Sequence, residues 1–329
     1  MAESTHGVVL GRFMPPHNGH RYLIDFAARC VDRLSVLVGT LSSDPIDGLL
    51  RYRWMREMFP DVNVIHITEE NPRARKGSPD SYRIWARGIT ESAGSDIRYV
   101  FASEDYGFRL AEELGAVYVP VDPARTVFPV SASMVRRNPM GTWEFIPPTV
   151  RPYFVRRVYV LSEETGASEA LLERLADHFH TVSVGDYVAY HAERIGPGSL
   201  SPEFAVRAQG AAEEALARQA ARVLFSASDQ VHAWTRVVGP AAGHDPGHPA
   251  AGGGPPTPVA THDWEHSCYL INLPVRAGHD SLTDHEKLPV LARTLETLAE
   301  RSADIRVLTG DVNERFSQAV EIVDELLDR

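Results

Sequence analysis

The chain has 329 residues, enough for two domains of ordinary size, and its 43% hydrophobic and 23% charged residues make an ordinary globular balance. A formal net charge of −11 repels a phosphate backbone, which excludes broad nucleic-acid binding but leaves small phosphate ligands, held by local groups, open. The first residues carry no basic segment followed by an apolar run, and no stretch reaches the ~18 apolar residues of a membrane helix, so neither a signal peptide nor a membrane partner is expected. Cys30 and Cys268 lie far apart without metal-ligand neighbours and read as reduced, mostly buried thiols, which fits a cytoplasmic protein.

In chain order, Gly7–Leu10 reads as a strand, followed by a loop and a helix over Gly19–Cys30. Leu34–Val38 is a strand, Leu49–Met58 a helix, Val62–Ile67 a strand and Ser81–Ser92 a helix carrying a tryptophan. Ile97–Ala102 is a strand, Tyr106–Leu114 a helix and Ala116–Val121 a strand. Strand and helix alternate, which argues a parallel sheet covered on both faces. Arg137-Asn138-Pro139 and Ile146-Pro147-Pro148 then break the pattern and set a domain boundary near residue 150.

After the boundary the alternation restarts. Arg157–Leu161, Thr181–Val184, Val223–Ser226, Cys268–Leu273 and Ile305–Leu308 read as strands. Glu169–Phe179, Phe204–Arg222 and Glu314–Leu327 read as helices. The fold class is therefore α/β, with a first domain over residues 1–150 and a second over 151–329. Gly239–Thr261 is almost entirely Pro, Gly, Ala, Thr and His, too poor in apolar surface to order itself, and reads as a mobile loop. Its neighbourhood contains His244, His248 and His262, whose spacing matches no closed metal site.

The most informative segment is Gly11-Arg12-Phe13-Met14-Pro15-Pro16-His17-Asn18-Gly19-His20, directly after an apolar strand and at the start of a helix. A helix N-terminus presents unpaired N–H groups and the positive end of the dipole, and so favours phosphate. Gly11 and Gly19 let backbone approach a ligand closely, and His17 and His20, three residues apart, can reach one phosphate chain. Ser131-Ala132-Ser133-Met134-Val135-Arg136 belongs with it: hydroxyls to cap a helix and face phosphate, and one turn on a guanidinium fork suited to phosphate. Nucleotidyl transfer builds negative charge around an α-phosphorus, so it needs positioned donors and a metal more than it needs a base.

These two motifs resemble the nucleotidyltransferase superfamily with its His-x-Gly-His and Ile-Ser-x-Thr-x-x-Arg signatures, with Ser133 standing where that family usually has Thr. The text between them narrows the resemblance to the NadR-type nicotinamide mononucleotide (NMN) adenylyltransferases. It is carried by Asp44-Pro45-Ile46 with Gly48, Arg51-Tyr52 and Trp54, by Ser103-Glu104 with Tyr106-Gly107, by Leu114-Gly115-Ala116, and by Asn138-Pro139 with Trp143 and Val150-Arg151-Pro152-Tyr153-Phe154. The resemblance covers most of residues 7–155 and continues into the second domain.

The resemblance implies a Rossmann-like His-x-Gly-His domain followed by a P-loop-kinase-like α/β domain. It implies catalytic roles for His17, His20 and Arg136 on the ATP phosphates, with Gly11, Arg12, Phe13, Gly19, Ser131 and Ser133 completing the ATP site. Trp85 would stack on the nicotinamide ring, a cation on an indole face, with Asp80 and Tyr82 beside it at the acceptor. ATP and NMN would be the small-molecule substrates and Mg²⁺ the cofactor; the metal's ligands cannot be read from the sequence. A homo-oligomer is compatible with it.

The motifs report the triphosphate and not the acceptor, so CTP as donor, another phosphate or phosphonate acceptor, and a regulator that senses NAD precursors stay open. Some relatives carry an N-terminal helix-turn-helix, for which a first strand at Gly7 leaves no room, so DNA binding is not expected.

In this family the second domain is a ribosylnicotinamide kinase whose P-loop has the form Gly-x-x-x-x-Gly-Lys-Ser/Thr. The aligned segment here is Leu161-Ser162-Glu163-Glu164-Thr165-Gly166-Ala167-Ser168. Leu161 replaces the first Gly, Ala167 replaces the Lys that neutralises the β- and γ-phosphates, and Glu164 adds an anion. Only Gly166 and Ser168 match, and the family's Asp-Thr-Asp reads Ala227-Ser228-Asp229. Val182-Ser183-Val184 with Asp186-Tyr187, Gln209 with Glu213, and Arg315-Phe316 with Ala319 keep the family's pattern. The expectation is a retained kinase fold that no longer phosphorylates; the alternative is a domain that binds another ligand or builds an oligomer interface.

Overall fold

The computed structural model describes residues 4–68, 81–162, 165–196, 200–238, 267–272 and 289–328. The loop expected at 239–261, His244, His248, His262, Asp80 and Glu164 lie outside the described residues. The chain divides into two compact units, Met1–Val150 and Arg151–Arg329.

In the first unit, β1 (His6–Gly11), β2 (Arg33–Gly39), β3 (Asn63–Ile67), β4 (Tyr99–Ala102) and β5 (Val117–Pro120) form one parallel sheet in the order β3-β2-β1-β4-β5. The helices are α1 (Asn18–Cys30), α2 (Gly48–Met58), α3 (Ser81–Ala93), α4 (Tyr106–Leu114) and α5 (Ala132–Arg137), followed by a 3₁₀ segment at Met140–Phe145. Successive residues of a strand face opposite sides. Thus Val9, Val36 and Val38 pack with Leu23 and Ile24 of α1 and Met55 of α2, while Val8, Leu10 and Leu37 pack with Ala86 and Ile89 of α3 and Leu110 of α4. Burial on both faces is why these strands read as continuous apolar runs. The connection leaving β1 runs to β2 on one side and that leaving β4 runs to β5 on the other, so a crevice opens at the carboxyl ends of β1 and β4.

In the second unit, β6 (Arg156–Leu161), β7 (Ser183–Val184), β8 (Val223–Ser226), β9 (Ser267–Asn272) and β10 (Asp304–Leu308) form a parallel sheet in the order β10-β9-β6-β8-β7. Its helices are α6 (Arg151–Phe154), α7 (Thr165–His178), α8 (Tyr187–Ile195), α9 (Pro202–Ala217), α10 (Gln230–Val238), α11 (Pro289–Glu300) and α12 (Val312–Asp328). Val158 and Val160 face a cluster with Leu172, Leu175 and Val323, and Tyr159 and Leu161 face another with Leu291 and Leu298.

The structure corrects several sequence expectations. The helix expected to run to Arg222 stops at Ala217: the Ala221 N–H is taken by the Thr181 hydroxyl (2.9 Å) and Arg222 turns to φ +75° to enter β8. The strand expected from Thr181 shrinks to Ser183–Val184, because that same hydroxyl also donates to the Val223 carbonyl (2.6 Å) and fixes Thr181 as a brace. Helices α8, α10 and α11 were not anticipated at all. Cys268 is buried in β9, but Cys30, at the end of α1, is exposed. Among the described residues, no helix is long and apolar enough to cross a membrane.

Candidate active site

The loop leaving β1 is built by packing as much as by chain flexibility. Phe13 is buried at φ +46° and its ring folds back over Gly11, where a Cβ would stand only 2.8 Å from the ring. Gly19 plays the same part for His17: a Cβ there would lie 3.0 Å from the imidazole. Both glycines thus make room for side chains of the loop itself, whereas the sequence assigned them to close approach by a ligand.

His17 is the N-cap of α1, its carbonyl accepting from the His20 N–H (2.8 Å) and the Arg21 N–H (3.1 Å), and its own N–H donates to His20 Nδ1 (3.3 Å). The two imidazoles lie against each other at a 30° tilt with centroids 3.8 Å apart, and the Phe13 ring meets His20 edge-on at 5.0 Å. Nδ1 of His17 is buried without a hydrogen-bond partner among the described residues. Burial, with Arg125 as a nearby cation, pulls His17 down to about 4. Close packing, then His17, then Arg125 push His20 well below the ordinary histidine value. Both rings are therefore neutral near pH 7, and a polyanion between them would favour their protonated forms.

Three arginines engage the loop that carries this pair. Arg136, half-buried on α5, donates from Nη1 to the carbonyl of Met14 in the same loop and from Nη2 to Ser133 Oγ (3.4 Å). Ser131 caps α5 by accepting from the Met134 N–H (3.2 Å), as its type predicts; Ser133 lies inside the helix and is exposed, so it caps nothing. Arg12, expected to be open to phosphate, is paired with Asp44. Asp44 also binds Arg51 Nη2 (2.7 Å), a wholly buried guanidinium that reaches the carbonyls of Ile46 (3.0 Å), Gly39 (3.1 Å) and Arg12. Arg51 thereby ties the loops leaving β1 and β2 together. Burial and the neighbouring Arg136 lower the Arg12 value.

Arg125 was not singled out by the sequence. It sits at φ +53° between β5 and α5, its Nη2 3.0 Å from Glu104 Oε1. The one hint was Asp122-Pro123, a turn opener.

Trp85 is half-buried on α3, with its six-membered ring 3.4 Å from where a Cβ on Gly39 would stand, at the carboxyl end of β2 and beside the Gly11 carbonyl. It therefore lies at the same edge of the sheet as the histidine loop. Tyr82, one turn earlier, packs into the core beneath α3 and receives Arg109 over its ring at 6.0 Å. The hydroxyl of half-buried Tyr106 donates to the Leu10 carbonyl, tying the start of α4 to β1. Among the described residues, no group of three or more His, Cys, Asp or Glu gathers to hold a metal.

In the second unit the segment aligned to a P-loop leads from β6 through buried Ser162 into α7, which opens at Thr165. Ser168 is buried and its hydroxyl has no partner among the described residues. Gly166 and Ala167 lie in the first turn of α7. The residues that keep the family pattern serve the fold. Asp186 caps α8 through the Ala189 N–H (3.1 Å), and the Gln209 amide donates to Ser226 Oγ (3.1 Å) and the Ser228 carbonyl (2.9 Å). Glu213 accepts from Tyr159 Oη (3.2 Å), and Arg315 donates to Asn272 Oδ1 (2.6 Å). Burial, countered in part by Arg157, pushes Glu213 up to about 7. Burial also raises Asp229, which accepts from Tyr269 Oη (3.0 Å).

No family model matches the chain. It is 33% identical over 203 residues to the trifunctional NAD biosynthesis/regulator protein NadR of Escherichia coli (strain K12), covering 56% of this chain and 49% of that protein. The NadR of Salmonella typhimurium matches at 33% over 198 residues, 55% of this chain and 48% of the relative. The chain thus spans about half the length of the curated relatives it matches. Among solved structures, a NadR protein in complex with NAD and AMP-PNP aligns with TM-score 0.72 at 18% identity, over 99% of this chain and 97% of that one. A NadR protein in complex with NR aligns with TM-score 0.73 at 17% identity, over 98% and 96%. At such identities the structures speak for the fold alone. By sequence over more than half its length the chain is similar to the curated NadR proteins, and over nearly all of its length its fold matches that of the NadR structures.

Proposed function

We propose that the first unit is an NMN adenylyltransferase: NMN and ATP give NAD and diphosphate. The observation that carries this reading is the closely packed, neutral His17–His20 pair at the N-terminus of α1, with Arg136 anchored on a carbonyl of the same loop. Trp85 at the adjoining edge of the sheet supports a pyridinium acceptor.

In the reaction an oxygen of the NMN 5′-phosphate forms a bond to the α-phosphorus of ATP. The bond from that phosphorus to the α,β-bridging oxygen breaks, and diphosphate leaves with its electron pair. The acceptor is already an anion, so no general base is required. His17 and His20 donate to oxygens on which charge develops, and Arg136 holds the leaving phosphates. Mg²⁺ bound with the triphosphate would supply charge neutralisation on its phosphate oxygens. The NAD and AMP-PNP bound by the NadR structure similar to this one support the same ligand class.

For the second unit we propose a kinase frame without kinase activity. Ala167 stands where a cation is needed against the β- and γ-phosphates, and a sequence anion, Glu164, joins the same segment.

The test is a panel assay. The purified chain is incubated with Mg²⁺ and ATP or CTP and with NMN or other phosphate and phosphonate acceptors, and diphosphate release is followed. Release with ATP and NMN, with NAD as product, is expected. Release only with another pair would move the acceptor or the donor, and release with none would overturn the reading.

A further inference from the structure

The turn between β5 and α5 delivers a charge to the histidine pair. The Asp122 carboxylate accepts from the Thr126 N–H (2.8 Å), the Thr126 hydroxyl (3.0 Å), the Val127 N–H (3.1 Å) and the Phe128 N–H (3.2 Å). One side chain thus closes residues 122–128 into a tight turn. Its far end is fixed against the start of α1: Phe128 Cβ lies 3.6 Å from the Cβ position of Gly19, and the Phe128 ring stacks obliquely on Tyr22 at 5.7 Å. At the tip, Arg125 pairs with Glu104, which lies in the loop leaving β4, the strand beside β1 at the crevice.

We propose that Arg125 is a triphosphate-binding residue of the first unit, exchanging its Glu104 partner for the nucleotide's phosphates. This rests on the nucleotidyltransferase reading above. The Glu104–Arg125 pair is half exposed on both sides, and such pairs are weak. A guanidinium gains more from a phosphate, which offers more charge and a matching fork of acceptors. Arg12 is also paired with a carboxylate, the buried Asp44, whereas among the described residues Arg136 meets a neutral carbonyl and a hydroxyl. Among the described residues, the crevice therefore has one cation ready and two held by carboxylates. Arg125 is felt at both imidazoles, so a triphosphate beside them is within its electrostatic reach. The titratable group facing each imidazole is the other imidazole and the charged one is Arg125, with Arg136 behind the Met14 carbonyl and Glu104 behind Arg125.

The experiment compares wild type with Arg125→Gln, Arg125→Lys and Glu104→Gln in the full chain. Calorimetry measures the Kd of AMP-PNP with Mg²⁺, steady-state kinetics the KM of each substrate, and NMR the titration of His17 and His20. Arg125→Gln is expected to weaken AMP-PNP about tenfold, raise the KM of ATP but not of the acceptor, and let both histidines titrate at higher pH. Arg125→Lys should recover part of the affinity, and Glu104→Gln should tighten binding several-fold by freeing Arg125. Should Arg125→Gln not fold, the Lys and Glu104 variants decide. Unchanged AMP-PNP binding in Arg125→Gln, or no tightening in Glu104→Gln, would overturn the proposal. A wild type that binds AMP-PNP through Arg125 yet releases no diphosphate with any acceptor would leave Arg125 as a nucleotide ligand and sink the transferase reading instead.

Discussion

The two units share one design, a five-stranded parallel sheet covered by helices, and differ in what leaves the first strand of each. After β1 come two histidines locked face to face by a helix cap, a phenylalanine and a glycine that makes room, with guanidinium groups from separate loops around them. After β6 comes a segment without a lysine, ending in a buried serine whose hydroxyl finds no partner among the described residues. Behind that segment the second unit keeps its hydrogen-bonded interior, where Gln209, Glu213, Ser226 and Tyr159 satisfy one another. The contrast separates what holds a fold from what performs chemistry on it: interior polar groups are kept in place by the cost of leaving a buried partner unpaired, and a ligand loop is under no such constraint.

The contrast can be broken most sharply at the histidine pair. His20→Ala should lower kcat by at least ~100-fold with the fold intact, since one lost transition-state donor costs about 10²–10³. Near-wild-type turnover would remove the first unit's claim to the chemistry. Arg51→Ala should follow, with a loss of about 3–5 kcal/mol in denaturant unfolding of the first unit, because Asp44 and the Gly39, Ile46 and Arg12 carbonyls lose a buried partner together. An unfolding curve like that of wild type would show that the two loops do not need their tie.

A smaller effect concerns pH. His17 titrates at about 4 in the folded chain against 6.5 unfolded, so the folded state binds fewer protons between these values. The stabilisation it brings is full above about 6.5 and is lost as pH falls toward 4, by at most ~3 kcal/mol. His17→Gln should therefore flatten the pH dependence of unfolding of the first unit in that window, and an unaltered slope would place the titration elsewhere. The smallest effect is on the acceptor: Trp85→Ala should raise the KM for NMN several-fold, roughly what one cation–π contact supports, while leaving that for ATP in place. Equal changes in both would mark Trp85 as packing only.

Much of this was legible in the sequence where a short stretch of chain decides the structure. Apolar runs bounded by turn residues gave the ten described strands to within a few residues, most clearly the inner strands β1, β2, β6, β8 and β9, which are buried on both faces. His17, His20 and Ser131 were visible because caps and strand-to-helix loops are local. Arg125 was not, since it reaches the site through a turn whose purpose shows only when Phe128 meets Gly19 from over a hundred residues away. The pairing of Arg12 with Asp44, and the tie made by Arg51, likewise depend on β1 and β2 lying side by side. Helices α8, α10 and α11 escaped because their buried faces are set by contacts across the second unit.

One incubation tests the division of labour most directly. The chain receives Mg²⁺, ATP, isotopically heavy NMN and ordinary nicotinamide riboside together, and the products are resolved by mass. The account predicts heavy NAD and diphosphate, with the riboside unchanged and no ADP formed from it. Absence of heavy NAD would contradict the role of the first unit, and light NMN or light NAD appearing with ADP would show that the second unit still phosphorylates.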